Sequence, residues 1–67
     1  MDLPLAPVER ILKRTHMRVS DEATVEFAKF LEEIISDIAA EAVVNSRRAG
    51  RKTVSGSDVR LAKRKLL

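Results

Sequence analysis

Residues 20–50 read SDEATVEFAKFLEEIISDIAAEAVVNSRRAG, and the fold turns on how far this stretch runs as one helix. Ser20 suits an N-cap, because its hydroxyl can accept an amide of the first turn. Asp21 and Glu22 then put negative charge where the helix dipole favours it. Behind them Val25, Phe27, Ala28, Phe30, Leu31, Ile34, Ile35, Ile38, Ala39, Ala42 and Val43 recur with a period near 3.6, a wide apolar face. Neither Gly nor Pro interrupts until Gly50, which fits the position just past a helix end, with Arg47 and Arg48 in the last turn. A helix from Asp21 to Ala49 would rise about 43 Å at 1.5 Å per residue.

Working outward, both flanks predict shorter helices. Pro4 and Pro7 fit a first turn, where an amide hydrogen would lack a partner anyway, so a helix is expected from about Pro4 to Arg14. Val8, Ile11 and Leu12 give it a narrow apolar stripe. THMRVS, residues 15–20, breaks the period and reads as a loop with an extended piece at Arg18-Val19. After Gly50, Arg51 to Val54 is short and extended. Ser55-Gly56-Ser57-Asp58 then opens a last helix in the manner of a capping box, with Asp58 in place of the usual Glu. The expected architecture is all-α, short–long–short, in a single domain spanning residues 1–67.

The 67 residues are few for a self-sufficient core, and chains of this size usually need disulfides, a metal or a partner subunit. There is no cysteine, and one histidine, His16, cannot build a zinc site. A monomer of this length would have a radius of gyration of about 11 Å. The long helix exceeds such a body, and two short helices cannot cover its apolar face. A second copy crossing it would, so a homodimer is predicted with Phe27, Leu31, Ile34, Ile35, Ile38 and Ala42 in its core.

No stretch resembles an export signal or a membrane span, so a cytoplasmic protein with no membrane partner is expected. Nor does the chain look like an enzyme. Glu32 and Glu33 are adjacent, so they do not face each other on a helix, and no nucleophile, phosphate loop or metal cluster accompanies them. No cofactor and no small-molecule substrate are expected.

Net charge is only +3, but it is unevenly spread. Residues 9–18 carry +3, residues 19–46 carry −6, and residues 47–67 carry +7. A fold that gathers the two basic segments on one face makes a cationic surface suited to a polyanion.

LPLAPVERILK near the start, RVSDEA opening the long helix, LEEIISDIAAEAV along it and AGRKTVSGSDVRLA at its end together resemble an archaeal-type histone. The resemblance covers nearly the whole chain. It implies a handshake homodimer in which two long helices cross and the loop at Arg18-Val19 lies beside the partner's Lys52-Thr53-Val54 as a short parallel β bridge. It also implies double-stranded DNA as the partner, with a place on the chromosome, the nucleoid. Residue by residue, Arg18 resembles the loop arginine that enters a minor groove, and Thr53 its companion across the bridge. Arg10 and Lys13 match first-helix DNA contacts. Arg51 and Asp58 match an ion pair bracing the second loop, Arg51 standing also at the DNA edge, and Lys52 points to phosphate.

Where the family joins dimers into tetramers, its leucine and histidine are replaced here by Asn45 and Arg48, while Asp58 and Leu61 are kept. Tetramers or higher arrays on DNA therefore stay open. The first loop is about one residue shorter than in typical archaeal members and lacks their glycine. Blander readings exist for the charges: Arg47 and Arg48 can serve only the helix dipole, and Lys63, Arg64 and Lys65 only a solvated helix end. Two functions remain. One is an architectural, largely sequence-non-specific DNA-binding protein that bends, wraps or compacts duplex; the other is a histone-fold interaction module with little direct DNA binding.

Overall fold

The computed structural model describes residues 3–67, which form α1 (Leu5–Lys13), α2 (Asp21–Arg48) and α3 (Gly56–Leu66). No strand occurs among the described residues. Short, long and short helices thus follow one another as the periodicity predicts, and each boundary has a visible chemical cause. Pro4 takes the N-cap place of α1 and Pro7 its first turn, where a missing N–H leaves nothing unsatisfied. At α2, Ser20 Oγ accepts the Ala23 amide at 3.1 Å.

The end of α2 is a Schellman motif. Gly50 takes φ 72, its amide donates to the Arg47 carbonyl at 2.9 Å, and the Arg51 amide reaches the Ser46 carbonyl at 3.0 Å. Only a glycine adopts that left-handed geometry without cost. α3 starts on a full capping box. The Ser55 hydroxyl accepts the Asp58 amide at 3.4 Å, and the Asp58 carboxylate accepts the Ser55 amide at 2.7 Å.

Packing divides the chain within α2, one unit running to Glu33 and the other from Ile34 to Leu67. In the first, Val8, Thr24 and Ala28 are buried. Ile11, which the periodicity puts in the α1 stripe, is exposed, because only Val8 and Leu12 turn inward. In the second, Ile38, Ala42 and Ala62 form a small cluster with Ile34 packed beside it. Two alanines at the contact let α2 and α3 approach closely, and Lys65 Nζ bonds Glu41 Oε1 at 2.8 Å along the same pair of helices.

Neither unit has the core that its apolar content would allow. No large side chain is fully buried among the described residues, whereas Phe27, Phe30 and Ile35 are 49%, 58% and 57% exposed. The six residues expected at a dimer core fall into three groups. Ile38 and Ala42 are buried against α3 of their own chain. Phe27 and Ile35 stand in solvent, and Leu31 and Ile34 are half-buried.

Candidate nucleic-acid interface

The second loop, residues 49–55, is held from three sides. The helix end supplies the Schellman bonds. From inside α2, the buried Ser46 hydroxyl donates to the carbonyls of Thr53 at 2.9 Å and Arg51 at 3.3 Å. From α3, Asp58 pulls Arg51 inward: the guanidinium grips both carboxylate oxygens, Nη1 to Oδ2 at 2.8 Å and Nη2 to Oδ1 at 2.7 Å. Nη1 also reaches the Thr53 carbonyl at 3.1 Å.

Asp58 is only 4% exposed and accepts four bonds, two from Arg51 and two from Ser55 through its amide and hydroxyl. The Arg51 fork first, then the Ser55 amide, hold its carboxyl well below the usual carboxylate range. In return, the bond to Asp58 raises Arg51 above its ordinary value. Arg51 is thus largely neutralised and engaged as a brace. The loop's outward charge comes from Lys52, which is exposed beside exposed Thr53 and Val54.

In the first unit, Arg10 and Lys13 occupy the last turn of α1, three residues apart and therefore neighbours on its surface. Both are exposed, as are Arg14 and Arg18 in the loop that follows. This loop turns through His16 at φ 59, a left-handed conformation that residues other than Gly seldom adopt. Among the described residues the ion pairs are Lys29–Glu26, Arg51–Asp58 and Lys65–Glu41. Arg10, Lys13, Arg18 and Lys52 take part in none of these, so their charges face solvent.

Each unit therefore presents a set of unpaired cations on or beside a loop. The structure brings Arg51 into contact with both the Thr53 carbonyl and the Asp58 carboxylate, and Arg10 and Lys13 onto one turn of α1. Of the four positions weighed for a dimer–dimer contact, Arg48 and Leu61 are exposed. The other two are engaged inside the chain: Asp58 by the bonds above, and Asn45 by donating Nδ2 to the Asp58 carbonyl at 3.2 Å.

Three features escaped the sequence: the Ser46 strut, the Asn45 bond and the Lys65–Glu41 pair. A polar residue within a helix gives no sign of which distant carbonyl it will meet. Glu41 and Lys65 lie 24 residues apart, beyond any local spacing rule. Among the described residues no group of three His, Cys, Asp or Glu side chains is placed to hold a metal, and no helix is long and apolar enough to cross a membrane.

Residues 1–62 match the family model described as histone-like transcription factor (CBF/NF-Y) and archaeal histone. The chain is 42% identical over 62 residues to one of the subunits of archaeal histone HAN1 from Thermococcus zilligii, covering 91% of this chain and 92% of that one. It is 47% identical over 64 residues to probable archaeal histone 3 of Methanocaldococcus jannaschii, with 94% and 96% covered. The DNA-binding protein HmvA of the same organism is 42% identical over 59 residues, 87% of this chain and 62% of its own length.

Proposed function

The chain belongs to the family of histone-like transcription factors (CBF/NF-Y) and archaeal histones, which are not enzymes, and on that premise we propose that it is an architectural protein of double-stranded DNA. The observation that carries this reading is the pair of loop regions whose cations, Arg18 and Lys52, stand exposed without an acidic partner while Arg51 and Asp58 stiffen the second loop. A polyanion is the natural complement of such charges. One relative bears the name DNA-binding protein.

The working unit is a homodimer in which the whole chain serves as one domain. The exposed Phe27, Phe30 and Ile35 of each α2 meet across the crossing and complete the core that one copy lacks. The same crossing lays Arg18-Val19 beside the partner's Lys52-Thr53-Val54, forming a short parallel β bridge. There the partner's Thr53 steadies the Arg18 guanidinium. Arg18 enters a minor groove, sensing its width and potential more than base identity. Lys52, Lys13 and Arg10 neutralise phosphates.

The dimer carries +6, twice the +3 of each chain, and bends or wraps duplex with little sequence preference on the chromosome. Any contact between dimers has Arg48 and Leu61 exposed for it, while Asp58 is already engaged by Arg51 and Ser55.

Duplex titrations over a range of salt test this. Arg18→Ala and Lys52→Ala each weaken binding across unrelated sequences. Each phosphate contact removed lowers the slope of log K against log salt by about 0.9, hence by about 2 per dimer for Lys52→Ala. A dimer with both substitutions that binds as tightly as wild type at moderate salt refutes the site. A stable homodimer with no affinity for duplex would favour the interaction-module reading instead.

A further inference from the structure

Of the cations of α3, only Lys65 has an acidic partner among the described residues, Glu41 of α2. Arg60, Lys63 and Arg64 are exposed and take part in none of the ion pairs found there. Two acids of the same unit are already engaged, Asp58 by Arg51 and Glu41 by Lys65.

The helix turns its two arginines away from its own core. Asp58 and Ala62 are the buried residues of α3, and at about 100° per residue Arg60 and Arg64 stand about 120–160° round the helix from them. Val59, Lys63 and Leu67 line an apolar groove with Ile34, Ile35 and Ile38 of α2, the side that the second copy proposed above would cover. Arg60 and Arg64 stay in solvent when that groove is filled, with Lys63 at its rim. They lie one turn apart, so their charges repel and weaken the helix. Arg64 sits in the last turn, where the dipole compensates for it, but Arg60 lies before that turn. The Arg60 guanidinium rests over the first turn, its Nη1 3.3 Å from where a Cβ on Gly56 would stand.

We propose that Arg60 and Arg64, with Lys63 beside them, form a second DNA-binding surface, by which a dimer holding one duplex through its loops captures the backbone of another and bridges the two. The inference rests on the DNA-binding reading above and goes beyond it, adding a separate contact on α3. A planar guanidinium takes two phosphate oxygens at once, and a stripe of this kind needs no base. Phosphate also offsets the repulsion between the two arginines. A duplex is favoured over an acidic protein because loop-bound dimers repeat the stripe along the first duplex, twice per dimer. Contacts too weak to act singly then add up.

The test pairs two readouts. A short labelled duplex titrated over a range of salt reports the first contact. Beads carrying a long duplex coated with protein report bridging, as the amount of a second, labelled duplex that they retain. Wild type, Arg60→Ala/Arg64→Ala, Arg60→Lys/Arg64→Lys and Lys52→Ala are compared, with helicity checked by circular dichroism. The double alanine variant stays helical and binds the short duplex within about twofold of wild type with an unchanged salt slope. It retains about tenfold less of the second duplex, whereas the double lysine variant, its charge kept, retains most of it. An alanine variant that bridges like wild type overturns the proposal and assigns bridging to contacts between dimers. One that loses short-duplex affinity and salt slope overturns it as well, since the stripe then belongs to the first contact. Wild type that binds the short duplex but retains no second one overturns the bridge alone and leaves α3 to an acidic protein. Weak short-duplex binding by Lys52→Ala upholds the DNA reading independently, and wild type that binds no duplex refutes that reading and this inference with it.

Discussion

Asp58 gathers three donor groups from two residues on one carboxylate: the Arg51 fork, the Ser55 amide and the Ser55 hydroxyl. Its folded pKa lies below the unfolded value of about 3.9, so the unfolded chain takes up the proton first as pH falls. The stability tied to this group is therefore complete above about pH 5 and lost as pH drops through and below the unfolded value. Asp58→Asn should unfold at lower urea than wild type at pH 7, with the gap closing between pH 5 and pH 2 at constant protein concentration. A gap that does not change with pH would mean that the charge on Asp58 contributes nothing. Half of this site was legible. The spacing of Ser55 and Asp58 announced a capping box, and the archaeal-histone resemblance supplied Arg51 as partner. Asn45 and Ser46, which reach Asp58 and the loop carbonyls from α2, were hidden by their place inside an unbroken helical pattern.

At the scale of elements, helix ends decide where the loops are presented, and each rests on one or two residues. An added Cβ at Gly50 meets nothing within 4 Å, so the cost of Gly50→Ala is that of its left-handed backbone alone. About 1 kcal/mol is expected. Ser55→Ala removes the N-cap of α3 and should cost about 1 kcal/mol as well. Urea midpoints at matched protein concentration check both, and a Gly50→Ala variant as stable as wild type would refute the Schellman end. These ends were readable because cap chemistry is local. Which apolar stripe of α2 meets α3 and which is left over was not, since period alone marks a face as apolar without saying what covers it. That is why Ile38 and Ala42 proved to be core within one chain while Phe27 and Ile35 did not.

At the scale of the molecule, the apolar residues left exposed on α2 are what the proposed homodimer would cover. Two phenylalanines and an isoleucine half exposed on one helix are a poor surface for a lone small protein and a good one for a crossing partner. Ile35→Asp places a charge in that crossing and should leave the chain largely unfolded at micromolar concentration, with DNA binding lost although no basic residue is touched. The most direct test of the account is sedimentation equilibrium combined with circular dichroism across a dilution series of the unmodified chain without DNA. A species of twice 7.5 kDa is predicted, with helicity falling in step with dissociation. A fully helical 7.5 kDa species that persists on its own at micromolar concentration would contradict it.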